Sequence, residues 1–306
     1  MSARGLFGDS VLLLGGSGML GRAWSEFLAR RGVSCTSPGR GQLDLANPRD
    51  IETGLAGHRG LVINCAAWTD VDGAEKNEDT ATEINGLAPG QIARCCAECG
   101  STLIHYSSDY VFGGEARVPH AVGDEPAPLG AYGRSKALGE VLVRSSGAQH
   151  LIVRTGWLYA PWGRNFVRTI HGRLLRGQNS DVVDDQIGGP TSARHLVETT
   201  VRMLRSGLRG IWHVSDGGRC SWFDLAREIA EKLSRPGLVN ACATGDRARG
   251  AKRPAFSVLD TSETEKRAGA FPGWKHNLEK VLAELGTEAG NAAELLAATG
   301  RKEVSS

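Results

Sequence analysis

The 306-residue sequence lacks an excess of either charge and lacks a long apolar run near its start. Lysine and arginine together number 36, and aspartate and glutamate 34, which gives a formal net charge of +2. This balance carries no general signal for binding nucleic acid or an anionic membrane surface. The apolar stretch VLLL at 11–14 is too short for a signal peptide or a spanning helix. We therefore expect a cytoplasmic protein with neither a nucleic-acid nor a membrane partner.

The sequence also lacks the cysteine and histidine spacing of a metal site. Seven cysteines are present, but no pair of CxxC motifs and no histidine at zinc-ligand spacing accompanies them. The one CxxC, Cys96 to Cys99, lies within a helical pattern and predicts structural thiols rather than a redox pair. The sequence therefore predicts no metal.

Glycine, by contrast, is abundant, with 41 residues, and three of them form a fingerprint near the N-terminus. Val11–Leu14 is typical of a buried parallel strand, and an amphipathic helical pattern follows it. Glycines between the two would permit a tight turn and close approach of the backbone to a pyrophosphate, beside the amide donors of a helix N-terminus. The cofactor-binding residues predicted here are Gly15, Ser17, Gly18, Met19, Leu20 and Gly21.

The end of the second strand, expected at Val33–Thr36, bears on which dinucleotide binds. The strand end lacks an acidic residue that would accept a ribose 2′-hydroxyl. Ser37 and Arg40 would instead suit a 2′-phosphate, so NADPH is favoured and NADH is the alternative. Arg40 is equally compatible with a solvated loop charge. Further cofactor contacts are predicted downstream, at Asp44, Leu45, Ala66 and Ala67.

Tyr132 and Lys136, four positions apart, begin a run with helical periodicity. Positions i and i+4 share a helix face, so we expect the ammonium near the phenol, whose pKa it would lower from about 10. Ser107 and Ser108 end a buried strand, at the edge where parallel sheets place ligands. The same Tyr–Lys spacing also occurs by chance in helices, so the motif indicates catalysis only together with its neighbours.

Strand and helix patterns alternate four times after the N-terminus. This alternation, with the glycine fingerprint at its first turn, predicts an α/β fold with a doubly wound, Rossmann-like parallel sheet and a smaller C-terminal substrate lobe. Residues 1–155 would form the dinucleotide-binding domain. Residues 156–306 would form mainly the substrate lobe, with the chain crossing back between the two. One continuous helix is expected at about 80–99, with Asn85 in its middle.

Seven segments together resemble a known family. In their order and spacing they are similar to the extended short-chain dehydrogenase/reductases, and within these to the dTDP-4-dehydrorhamnose reductase family. The similarity runs from about residue 10 to about residue 285. The segments are GGSGMLG (15–21), NCAAWTDVDGAE (64–75), HYSSDYVFGG (105–114), YGRSK (132–136), RTGWLYA (154–160), DDQIGGPT (184–191) and RPAFSVLD (253–260).

The resemblance implies a role for each matching residue. Tyr132 would protonate the sugar keto oxygen as a hydride arrives, and Lys136 would bind the nicotinamide ribose and lower the phenol pKa. Ser108 stands where the family usually has threonine, and its hydroxyl would orient the keto oxygen. Substrate contacts are expected from Thr69, Val71, Ser108, Asp109, Tyr110, Trp157, Asn165, Gln186 and Arg253.

One departure from the family bears on assembly. Some reductases of this type dimerise through Mg²⁺ with a glutamate just after the third glycine, where this chain has Arg22 and Ala23. A metal-bridged dimer is therefore not expected, and the chain would be a monomer or a homodimer.

The implied activity is reduction of the 4-keto group of a nucleotide-activated 6-deoxysugar, first of all dTDP-4-dehydro-L-rhamnose. Three alternatives stay open at the level of sequence. A reductase for another dTDP-deoxysugar would carry the same catalytic residues. An epimerase would retain NAD, for which an acidic residue after the second strand is usual. A non-catalytic subunit that resembles the regulatory subunit of methionine adenosyltransferase would act as a binding partner.

Overall fold

The central feature of the computed structural model is a six-stranded parallel sheet in the order β2-β1-β3-β4-β5-β10. The structure describes residue 7, residues 10–246 and residues 250–300, with side chains up to residue 287. Strand order reverses between β1 and β3, which marks the ligand crevice of a doubly wound sheet. The strands are β1 Val11–Leu14, β2 Cys35–Thr36, β3 Leu61–Asn64, β4 Thr102–Ser108, β5 Gln149–Thr155 and β10 Gly210–His213. The predicted fold class is confirmed.

Helices cover both faces of this sheet, so its strands are apolar on both sides. The helices are α1 Met19–Ala29, α2 Pro48–Leu55, α3 Val71–Ala74, α4 Glu78–Thr82, α5 Ala88–Cys99, α6 Ala131–Arg144, α7 Phe166–Leu175, α8 Ala193–Arg205, α9 Trp222–Lys232, α10 Ser262–Ala268 and α11 Trp274–Gly300. Leu13 packs into a layer with α1 and α8, whereas Leu12 and Leu14 pack into the layer formed by α2, α5 and α6. Within the described ranges, none of these helices combines the length and the hydropathy needed to cross a bilayer.

A second, smaller core lies in the later part of the chain. It is built from apolar side chains of α7, α9 and α11 and from the parallel strand pair β7 and β12. The remaining strands are β6 Leu158–Tyr159, β7 Ser180–Val183, β8 Ile187–Gly188, β9 Thr191–Ser192, β11 Cys220–Ser221 and β12 Val239–Cys242. Strand β10 and helix α8 follow residue 155 but belong to the large sheet and its layers. The division at residue 155 stays a prediction.

The structure corrects the continuous helix expected at 80–99. Helix α4 ends at Thr82, a π-helical turn covers Glu83–Leu87, and α5 begins at Ala88. Asn85 lies in this turn, and its side chain accepts from Trp68 N at 2.9 Å and donates to Trp68 O at 3.0 Å. The turn therefore directs the Asn85 amide toward the loop after β3. Such π-helical turns are frequent at functional sites.

Candidate active site

The turn between β1 and α1 is tight enough to bring backbone to backbone. Gly15 has a φ of +75°, and a Cβ there would lie 2.6 Å from Ala66 N in the loop after β3. Helix α1 begins at Met19 without a side-chain cap, so amides of its first turn are available to a ligand. Ser17 is exposed, whereas the side chain of Leu20 packs in the core. This cradle fits a dinucleotide pyrophosphate, as predicted from the glycines.

The other predicted cofactor residues differ in how far their side chains are already engaged in contacts within the protein. Ser37 Oγ donates to Leu13 O at 3.0 Å, which holds the loop after β2 against β1. The Arg40 side chain is 83% exposed, with its Nε 3.6 Å from Asp44 Oδ2. Asp44 also accepts from the amide of Ala46, and Leu45 packs against the core layer of α2 and α5. The Arg40 side chain is therefore accessible to an anionic ligand. Asp44 and Leu45 instead stabilise the segment between β2 and α2.

Ser108, Tyr132 and Lys136 converge from two elements, as the sequence predicts. Ser108 ends β4, and its hydroxyl lies close enough to the phenol of Tyr132 in α6 to influence the pKa of that phenol. A side chain at Gly133 would collide with the carbonyl of Tyr110, so this glycine allows α6 to approach the end of β4 closely. Lys136 is buried, and its Nζ donates to Tyr106 O at 2.6 Å.

The expectation that Lys136 lowers the phenol pKa is wrong in this structure. Burial raises the pKa of Tyr132 to about 12, the neighbouring Ser108 hydroxyl opposes this rise, and the charge of Asp109 adds to it. The Lys136 ammonium is instead bound to the Tyr106 carbonyl, and burial lowers its own pKa to about 8. Glu140 and Cys65 oppose that decrease. Desolvation thus outweighs the attraction expected from i, i+4 spacing alone.

Asp109 and Tyr110 form a short 3₁₀ turn directly after Ser108. The Asp109 side chain is 3% exposed, and burial raises its pKa to about 6 against hydrogen bonds from Ser257 and Ser108. The ring of Tyr110 meets that of Tyr132 edge to face, with centroids 5.8 Å apart. Asp109 therefore lies in the same cluster as Ser108 and Tyr132, and Tyr110 forms the wall beside it.

A cleft of about 250 Å³ extends from Tyr110 into the smaller lobe. Trp157 next to it has a φ of +49°, a strained conformation for a tryptophan, and its ring stacks on that of Trp222 at 3.5 Å. Arg253 lines the cleft and is paired with Asp72 at 2.8 Å. The other lining residues are Phe166, Thr169, Ile170, Arg173, Ser180, Asp181, Val182, Val183 and Trp222.

Four of the predicted substrate residues do not line this cleft. Val71 lines a small neighbouring pocket together with Tyr110 and Tyr132, and Thr69 is exposed nearby in sequence. Asn165 caps α7 through Arg168 N and donates to Ala160 O at 2.9 Å. Buried Gln186 donates to Thr244 Oγ1, also at 2.9 Å. The bonds of Asn165 and Gln186 favour structural roles for both.

Comparison with known proteins agrees with this geometry. The family model described as the RmlD substrate binding domain matches residues 9–287. The chain belongs to this family. A dTDP-4-dehydrorhamnose reductase from Mycolicibacterium smegmatis is 35% identical over 280 residues, covering 89% of this chain and 85% of its own. A probable dTDP-4,6-dihydroxy-2-methyloxan-3-one 4-ketoreductase from Streptomyces antibioticus is 40% identical, with 90% and 95% covered.

A solved structure extends the comparison to three dimensions. The dTDP-4-dehydrorhamnose reductase of Bacillus anthracis, in complex with NADP, superposes with a TM-score of 0.86 at 32% identity, covering 90% of this chain and 99% of its own. The resemblance to the dTDP-4-dehydrorhamnose reductase family is thus confirmed.

Several residues of this RmlD-family site carry no recognisable signal in the sequence. Asn85 also donates to Ser135 Oγ at 3.1 Å, which ties the π-helical turn to α6. Trp222 belongs to an ordinary amphipathic helix pattern, and its contact with the cleft depends on the packing of two distant segments. The Asn85–Gly86 pair with Pro89 shortly after it, inside a helical pattern, was the available hint for Asn85; we find none for Trp222.

Proposed function

We propose that this chain reduces the 4-keto group of a dTDP-activated 6-deoxysugar, with NADPH as the electron donor. The observation that carries the proposal is the convergence of Ser108, at the end of β4, and Tyr132, in the first turn of α6, beside a cleft and at the sheet edge that holds the glycine turn. The names of the relatives support the same reaction.

The chain's own residues would hold NADPH at three places. Amides of the first turn of α1 would bind the pyrophosphate over Gly15, and Arg40 with Ser37 would contact the 2′-phosphate. Lys136 would bind the nicotinamide ribose. NADPH, when bound, supplies the hydride. The fit rests on the approach of Ala66 to Gly15, which leaves no room for any side chain there.

Tyr132, in α6, would carry out the proton transfer. As charge develops on the keto oxygen, the phenol of Tyr132 donates its proton to that oxygen, and Ser108 stabilises it by a hydrogen bond. A buried phenol with a raised pKa keeps its proton until the stronger base forms. Lys136, whose ammonium donates to Tyr106 O, takes no part in this proton transfer.

The nucleotide part of the substrate would occupy the cleft between the lobes. Its aromatic wall, Phe166 and Trp222, suits a thymine ring, and Arg173 and Arg253 supply positive charge for a diphosphate. We take dTDP-4-dehydro-L-rhamnose as the first substrate candidate. A different dTDP-4-ketosugar is the second, favoured by the 40% identity to the Streptomyces antibioticus protein. A cytoplasmic location and a monomeric or homodimeric state belong to the same proposal.

The test is NADPH oxidation with dTDP-4-keto-6-deoxy-L-mannose made in the same tube by the preceding enzymes. Rapid oxidation with dTDP-rhamnose as product supports the first candidate. Oxidation only with other dTDP-4-ketosugars would select the second. Binding of NADPH with no oxidation of any of them would contradict the proposal, and co-purification of a synthetase would then identify a regulatory subunit.

A further inference from the structure

The hydroxyl of Ser108 has a single proton, and the structure commits it to Asp109. Ser108 Oγ donates to Asp109 Oδ1 at 3.0 Å and accepts from Tyr110 N at 3.2 Å. A hydroxyl donates only one hydrogen bond at a time. The proposed reaction needs that same proton on the substrate keto oxygen. Ser108 therefore cannot perform its proposed role while it donates to Asp109.

We infer that Asp109 sets the direction of the Ser108 hydroxyl. As a carboxylate, Asp109 accepts the Ser108 proton. As a carboxylic acid, it donates its own proton to Ser108 Oγ and leaves the Ser108 proton free for the keto oxygen. Asp109 is thus a positioning residue for the proposed reaction, and the inference rests on that proposed function. The transferred proton still comes from Tyr132, and Asp109 keeps its own throughout.

The surroundings of Asp109 place this change close to neutral pH. The carboxyl lies against Gly156 so closely that a Cβ there would collide with it, and this contact shields it from water. From α6 it faces the titratable Tyr132, and from the segment before α10 the neighbouring Ser257 hydroxyl favours its carboxylate form. Burial raises its pKa to about 6, so both forms are accessible near neutral pH.

The first test is the pH dependence of kcat in wild type and in Asp109→Asn. The amide of asparagine can donate to Ser108 permanently, as the carboxylic acid does. We expect wild-type kcat to fall by roughly tenfold or more between about pH 5 and 7, since one oxyanion donor is lost. The variant should lack this decrease. The exposed Asp79→Asn serves as the matched control and should retain the wild-type profile.

A second variant tests the same idea without removing the carboxyl. Ser257→Ala deletes a neighbouring hydroxyl that favours the carboxylate, so the midpoint of the wild-type decrease should rise by about one pH unit. A purely structural role for Asp109 would leave that midpoint in place. A flat wild-type profile in an active enzyme, or an unshifted midpoint in Ser257→Ala, would overturn the inference.

A spectroscopic measurement separates this inference from the proposed function. In full-length protein with ¹³C-labelled aspartate carboxyls, the Asp109 signal is the one that moves in Ser257→Ala and disappears in Asp109→Asn. Its titration midpoint should lie near pH 6 and should rise in Ser108→Ala. Absence of turnover with every dTDP-4-ketosugar would refute the proposed function but not this inference. A titration midpoint that does not change in Ser108→Ala would refute the coupling between the two side chains.

Discussion

Replacing Tyr132 by phenylalanine removes one oxygen atom from the proposed site and leaves the ring in place. The edge-to-face contact with Tyr110, at 5.8 Å, does not require the hydroxyl. A positioned general acid contributes roughly 10²–10⁴ in rate, so kcat should fall by about that factor. Each factor of ten corresponds to about 1.36 kcal/mol, which places the loss of transition-state stabilisation at about 3–5 kcal/mol. Ser108 would remain to stabilise the oxyanion, so some turnover should persist.

The assay combines three measurements on the Tyr132→Phe protein. Oxidation of NADPH at saturating substrate gives kcat, fluorescence titration gives the Kd for NADPH, and thermal unfolding gives Tm. We expect Kd and Tm close to wild type, because the hydroxyl lost here lies beside Ser108 and not at the glycine turn between β1 and α1. Tyr110→Phe is the matched control, since it removes the same atom from the neighbouring ring, and its kcat should stay well above that of Tyr132→Phe.

The decisive result is the size of the decrease in kcat. Retention of more than about a tenth of wild-type turnover would place the effect below the range of general acid catalysis and would refute the assignment of Tyr132. A large decrease in kcat accompanied by an equally large increase in Kd for NADPH would show a disturbed site instead, and would also remove support for the assignment.

Three further predictions concern the groups around this centre. Because the Lys136 pKa is lowered to about 8, the ammonium is lost as pH rises through that value, so kcat/KM for NADPH should fall there; a flat alkaline profile would contradict this. Glu140→Gln leaves the Arg154 charge buried without its partner and should lower the free energy of unfolding in urea by about 3–5 kcal/mol. Exposed ion pairs typically contribute about 0–1 kcal/mol to stability. A loss in that range would show that the bridge is not buried in solution. Arg40→Ala should reduce the kcat/KM preference for NADPH over NADH by about tenfold, and an unchanged ratio would place the 2′-phosphate elsewhere.

The fold could be predicted from the sequence wherever a pattern is local. Val11–Leu14 is a strand with the predicted bounds, because strands buried on both faces form uninterrupted apolar runs between polar turns. The start of α2 also depends on local features of the sequence. Asn47 caps it through Arg49 N, and Pro48 occupies the first turn, where a missing amide proton costs nothing.

Within the site, the sequence predicts only those features that depend on the spacing of residues along the chain. The spacing of Tyr132 and Lys136 placed both on one face of α6, but the direction of the ammonium depends on the Tyr106 carbonyl, which lies 30 positions away. The sign of the phenol pKa shift depends on burial, which no four-residue spacing encodes. Asn85 escaped prediction for a similar reason, since its partners Trp68 and Ser135 lie in separate segments.

The same face of α6 explains how Tyr132 is held against Ser108. Glu140 lies one further step of four along this helix and binds Arg154 of β5 through two bonds, of 2.8 and 2.6 Å. Both side chains are 3% exposed, and a bidentate pair in a dry environment fixes orientation more strictly than apolar packing does. Arg154 is paired in the sheet with Ser107, next to the catalytic serine. The bridge therefore sets the rotation of α6 relative to the end of β4, so Glu140→Gln should reduce kcat even at temperatures where the protein stays folded.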